Sequence, residues 1–186
     1  MKLLSEMNND ELWRLFPITL SNHDESWAEY YKTEKGLIVQ SIGTDNIVRV
    51  NHIGSTAVPN LLAKPTIDIL VEIHHNVDLK ILQDSLEETG YIFSAQPDKP
   101  APHMMFMKGY TPQGFAEKVF HLHLRYFGDW DELYFRDYLI SHPEAAEKYG
   151  ELKLLLKEKY EHDRDGYTEA KSDFIAKVVA KARNEL

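Results

Sequence analysis

Two short segments alternate apolar and polar side chains closely enough to read as strands, each with two chemically different faces. In Thr66-Ile-Asp-Ile-Leu-Val-Glu-Ile73, Ile67, Ile69, Val71 and Ile73 share one face, and Asp68, Leu70 and Glu72 share the other. In Lys118-Val-Phe-His-Leu-His-Leu-Arg-Tyr-Phe127, Phe120, Leu122, Leu124 and Tyr126 oppose His121, His123 and Arg125. Side chains project from a strand with a period of two, so the apolar rows take the core and the polar rows face a cleft or solvent. A carboxylate in an otherwise apolar strand costs desolvation energy unless it is paired, bound to metal or at a cleft, which singles out Asp68. Glu72, roughly 13 Å further along, reads as a solvated strand end.

Helices and turns surround these strands. Asn8 or Asn9 caps a short helix through Leu15 that Pro17 ends, and Ile18 to Leu20 read as extended chain. Asn22 to Asp24 cap a longer helix with Trp27, Tyr31, Ile38 and Ile42 mainly on one face, interrupted at Gly36 and ended by Gly43. Ile47 to Ile53 is a further strand, and Asn76 caps a helix carrying Leu79, Leu82 and Leu86 that Gly90 closes. Tyr91 to Ser94 is a short strand, and Met104 to Tyr110 pairs with Lys118 to Phe127 across TPQGFAE. Helices follow over Asp131 to Ile140 and from Pro143, with Ala145, Tyr149, Leu152, Leu156 and Tyr160 in a stripe. Asp165-Gly166 breaks that helix before a last one from about Thr168. No repeat or linker divides the chain, so residues 1–186 read as a single α+β domain: a mixed or antiparallel sheet packed with helices, and a helical C-terminal region.

Composition narrows the partners. A net charge of −9, with Lys and Arg scattered among acids, disfavours a long nucleic acid. A small anionic substrate stays open, because a few local donors outweigh a diffuse field. The absence of cysteine excludes disulfides, thiolate ligands and cysteine nucleophiles. The opening MKLLSEMNNDELW turns polar too soon for a signal peptide, and no apolar run approaches the roughly 20 residues of a membrane span. The expectation is a cytoplasmic protein without a membrane partner.

Histidines at i and i+2 project in parallel about 6–7 Å apart, near enough for both to reach one ion or phosphate. The alternative for His121 and His123 is a polar row hydrogen-bonded to its neighbours; Arg125 in the same row favours an anionic ligand. Asn51-His-Ile-Gly-Ser-Thr-Ala-Val-Pro59 follows a strand directly. Gly54 lets backbone amides approach an anion, and Ser55 and Thr56 add hydroxyl donors; the competing reading is a structural turn. Lys64, before Pro65, either brings an ammonium to a phosphate or is a solvated loop lysine. Arg136 and Lys171 read as helix-surface charges or partners of Asp137 and Asp173, and His52 sits on a strand face that the pattern leaves unassigned.

HIGSTAVPNLLAKPTIDILV resembles the signature of the GrpB family, and the likeness continues through FHLHLR, FRDYLISHPEAAEKYGELK and YTEAKSDF, over approximately residues 17–175. The family is placed in the nucleotidyltransferase superfamily, with Gly-Gly or Gly-Ser after one strand and acidic-x-acidic on the next. The resemblance implies a nucleotidyltransferase-like fold, a phosphate-holding role for Gly54 and Ser55, and a metal-ligand role for Asp68. Leu70 stands where the second carboxylate is expected and cannot ligate a metal; His121 and His123 lie about where the third belongs. The expected function is binding of a nucleotide or other phosphorylated small molecule and, if the protein is active, nucleotidyl or phosphoryl transfer. Asp68, His121 and His123 would form the catalytic centre and hold one divalent ion, with Mn²⁺ or Zn²⁺ suiting two imidazoles better than Mg²⁺. Gly54, Ser55, Thr56, Lys64 and Arg125 would hold phosphate. The rival expectation is a non-catalytic nucleotide-binding or folding-assistance module, in line with the family's occurrence fused to dephospho-coenzyme A kinase.

Overall fold

In a computed structural model describing residues 2–185, both alternating segments are strands in the middle of one sheet. The strands are β1 (Ile47–Ile53), β2 (Thr66–Ile73), β3 (Ile92–Ser94), β4 (Met104–Thr111) and β5 (Gly114–Tyr126), in the order β1-β2-β5-β4-β3. β2 and β5 run parallel and the other pairs antiparallel, so the sheet is mixed. Their register sets Asp68 beside His121, Leu70 beside His123 and Glu72 beside Arg125. The helices are α1 (Asn9–Leu15), α2 (Ser26–Ile42), α3 (Leu79–Glu88), α4 (Asp131–Ser141), α5 (Pro143–Tyr160), α6 (Arg164–Glu169) and α7 (Ser172–Asn184).

The apolar rows behave as their period requires. Ile67, Ile69, Val71, Ile73, Phe120, Leu122 and Leu124 are buried with Phe106 against Trp27, Ile38 and Ile42 of α2 and Leu82 and Leu86 of α3. Gly36 does not interrupt α2, which runs through it with open space where a side chain would stand. A mid-helix glycine costs about 1 kcal/mol, less than burying any one of the three large apolar residues of α2 contributes. Asp78 rather than Asn76 caps α3, its Oδ1 accepting from the Lys80 and Ile81 amides. Asp165-Gly166 lies inside α6 instead of breaking a helix; Asp163 caps that turn.

The β4–β5 hairpin is tighter than the sequence suggests, because Gly114 to Glu117 join the strand and Thr111 pairs with Gly114. Its register shifts between Lys108 and Tyr110. Gly109, at φ 91°, occupies the shift, where a side chain would collide with the Lys118 carbonyl. Such an irregularity re-aims the next side chain, and Tyr110 turns toward His121.

A second core covers the polar rows. Val58 and Leu61, from the connection between β1 and β2, are buried among Phe135, Leu139, Ala146, Tyr149, Val178 and Val179 of α4, α5 and α7. Each such side chain contributes on the order of 2 kcal/mol, which pins the connection beneath the helices. The inward row of α5 is Ala146, Tyr149, Gly150 and Lys153, offset from the expected stripe. Gly150 faces Leu61 and Leu62, where a side-chain carbon would make ordinary contact at 3.8 Å, and Lys153, one turn on, lies inside on the same row.

Glu72 is not a solvated strand end. It is fully buried, bound by Arg49 through both carboxylate oxygens and by the Gly128 amide at 3.1 Å. Among the described residues no helix is long and apolar enough to cross a membrane.

Candidate functional site

Three elements meet at Asp68. β2 carries the carboxylate, β5 brings His121 and His123 on the same face, and the turn after β1 closes over it. His121 Nδ1 lies 3.3 Å and His123 Nε2 3.6 Å from Asp68 Oδ1. Gly54, at φ 71°, packs on the same carboxyl group; a side-chain carbon there would fall 2.5 Å from Asp68 Oδ2. Burial pushes the Asp68 carboxyl up, but the two imidazoles against it together outweigh burial and hold it well below the usual carboxylate range. Asp68 is therefore an anion at neutral pH.

His121 is buried rather than facing open solvent, and both its nitrogens are engaged. Its Nε2 lies 2.7 Å from the Tyr110 hydroxyl, which also accepts from Arg164 Nη2 at 3.0 Å. Burial lowers the imidazole's pKa, so the ring is neutral, with Asp68 opposing that shift.

The turn splits into two roles. Ser55 accepts a hydrogen bond from Lys153 Nζ at 3.0 Å, and Lys153 also donates to the Leu62 carbonyl. Thr56 points away from the cleft: it is buried, donates to the Thr66 carbonyl at 3.1 Å and contacts His52 Nε2 at 3.0 Å. Thr56 is therefore a lock between β1 and β2 and is lost from the phosphate set. His52 stacks on Tyr31, and burial pulls its pKa down to about 4. Arg125 is committed elsewhere, to Glu132 at 2.7 Å and to the face of Trp130. Arg136 does pair with Asp137 and also donates to the His52 carbonyl.

Lys64 and Lys171 flank the Tyr167 ring, their ammonium nitrogens 5.8 and 4.4 Å from its centroid. Neither is a solvated surface lysine. Burial, then Lys171 and Arg164, brings Lys64 down to about 7. Burial, then Lys171 and Lys64, brings Lys153 to about 7, and burial lowers Lys171 to about 8 while Asp68 opposes it. Four basic side chains, from the β1–β2 connection, α5, α6 and the start of α7, thus form one cluster, in which Asp68 acts on Lys64 and Lys171. Tyr167 is fully buried between two of them, and its hydroxyl has no hydrogen-bond partner among the described residues.

This donor set does not fit a resident divalent ion. Leu70 is fully buried at the position of the second carboxylate, and the surroundings are already cationic. Among the described residues no group of three or more His, Cys, Asp or Glu side chains is arranged to hold a metal. Asp68, His121 and His123 come together as the alternation requires, with both rings approaching the same carboxylate oxygen.

Residues 17–181 match the GrpB protein family. The chain belongs to that family. Its relatives include a UPF0157 protein of Pseudomonas aeruginosa, 34% identical over 86% of this chain, of which the chain spans 65%. Another is the glutamate-rich protein GrpB of Alkalihalophilus pseudofirmus, 33% identical over 87% of this chain and 94% of its own length. The crystal structure of GrpB from Enterococcus faecalis superposes with a TM-score of 0.78 at 30% identity, covering 90% of this chain and 98% of that one. The RNA terminal uridylyl transferase Cid1 overlaps 80% of this chain and 44% of its own at 15% identity and a TM-score of 0.48, a likeness of outline.

Lys153, Arg164 and Tyr110 were not singled out by the sequence. A lysine on the inward row of a helix looks like any solvated lysine until the row itself is known.

Proposed function

We propose that this protein binds a small molecule carrying linked phosphates, and that side-chain cations neutralise those phosphates in place of a resident divalent ion. The observation that carries the reading is the surplus of positive charge around Asp68: Lys64, Lys153, Lys171 and Arg164 against one carboxylate. Buried ammonium groups that outnumber their carboxylate partners destabilise one another and the fold, and an anion of charge −2 or more relieves that penalty. The unpartnered Tyr167 hydroxyl is an additional donor beside the same lysines. Ser55 and the backbone beside Gly54 would fix the ligand's orientation.

The test is calorimetric titration with pyrophosphate and with ATP, each in excess EDTA and again with Mn²⁺. Binding of either in EDTA is the expected result. A requirement for Mn²⁺ would return the reading to a metal held by Asp68, and no binding under either condition would remove it.

A further inference from the structure

The chain Arg164–Tyr110–His121–Asp68 has a direction. Asp68 is an anion and accepts, so the nitrogen facing it, His121 Nδ1, carries the proton. In a neutral ring the other nitrogen is then bare, and at 2.7 Å it accepts the Tyr110 hydroxyl proton. Tyr110 Oη in turn accepts from Arg164 Nη2 at 3.0 Å. A hydroxyl hydrogen-bonded to a base that a third group orients is the general signature of an activated nucleophile. A tyrosine held only for packing would not need this order. Its ring is already seated by edge contacts with Phe16 at 4.9 Å and Phe115 at 5.4 Å.

We propose that Tyr110 is a nucleophile that takes a phosphoryl or nucleotidyl group from a phosphoanhydride, with His121 as general base and Asp68 as the positioning residue. This rests on the phosphate-binding reading above. In the step, Tyr110 Oη attacks one phosphorus as its proton passes to His121 Nε2. The bridging P–O bond breaks, and the leaving phosphate keeps the electron pair. Lys64, Lys153 and Lys171 neutralise that leaving group, and the product is an O-phosphorylated or O-nucleotidylated tyrosine. Burial holds the Tyr110 phenol above its ordinary pKa while Arg164 opposes the shift, so the oxygen becomes anionic only as His121 takes the proton.

The experiment incubates the full chain with each of the four ribonucleoside triphosphates and reads intact mass, with α- and γ-labelled ATP to identify the phosphorus attacked. A covalent adduct mapping to Tyr110 is expected. Tyr110→Phe should abolish it, and His121→Asn and Asp68→Asn should slow it at least tenfold, each variant being checked for a native fold by circular dichroism. Pyrophosphate binding without an adduct from any triphosphate overturns the nucleophile and leaves the binding site standing. An adduct that survives in Tyr110→Phe also overturns it. Loss of pyrophosphate binding in the unaltered protein removes the binding reading instead.

Discussion

β2 carries two carboxylates on one face, and the structure treats them in opposite ways. At one end Glu72 is fully buried and matched by Arg49 and the Gly128 amide. At the other, Asp68 is partly open and is outnumbered by the basic cluster of Lys64, Lys153, Lys171 and Arg164. A buried charge with complete partners is a structural device, sensitive to the loss of either member. A charge surplus with no internal counterpart is unfavourable on its own account and is kept where something outside the chain completes it. The same strand, read from end to end, passes from scaffold to binding site.

The largest effect should come from breaking the balanced end. Glu72→Ala leaves Arg49 and the Gly128 amide without their acceptor and should cost about 3 kcal/mol, lowering the melting temperature by roughly 10 °C. Pyrophosphate affinity of the folded protein should hardly change; a parallel loss of affinity would show that the two ends are not independent.

At the unbalanced end, Lys153→Met removes a charged donor from the turn. Calorimetry should show pyrophosphate affinity falling roughly tenfold to a hundredfold, the worth of one charge-assisted hydrogen bond. Unchanged affinity would place the ligand elsewhere.

The pH dependence has a definite sign. Burial holds Lys64, Lys153 and Lys171 at about 7, 7 and 8 in the folded protein, below the ordinary lysine value of 10.5. The unfolded chain therefore binds more protons between these limits, so apo stability should rise with pH from 7 toward 10. Anion binding needs the protonated lysines and should run the other way. Sulfate keeps a constant charge over this range, and its stabilisation in a thermal melt should fall by roughly tenfold in affinity from pH 7 to 9. Parallel trends in the two would contradict the surplus.

The smallest effect is also the sharpest test of sign. Asp68→Asn removes a negative charge that acts on Lys64 and Lys171, so sulfate affinity should increase about threefold to tenfold. A metal-dependent site predicts the reverse for a metal-bound phosphate.

The strands were legible because burial imposes a period of two that few other constraints imitate. Ile47–Ile53 and Thr66–Ile73 have the expected ends, and Asp68, His121 and His123 meet. What failed to show was charge compensation, which depends on residues far apart in sequence. Glu72 looked solvated because Arg49 and Gly128 lie on other segments. Arg125 looked available because nothing nearby announced Glu132 on α4. Thr56 resembled a ligand-facing hydroxyl, yet its partner is a carbonyl ten residues on. Lys171 read as a surface charge because its surroundings, the Tyr167 ring and Asp68, lie on other elements. Periodicity reports which way a side chain points; it does not report who answers it.

The parallel pairing of β2 with β5 also has a consequence for the order of assembly. Tyr110 and His121 sit on one hairpin, eleven residues apart, and come together when that local turn closes. Asp68 joins them through a parallel pairing whose partners are separated by α3, β3 and β4. Closing that long loop is slow compared with forming the hairpin. The tyrosine–histidine half of the chain is thus a local product and the carboxylate a late arrival, so a chain caught part-way through folding would hold the acceptor and the base before it held the group that orients them.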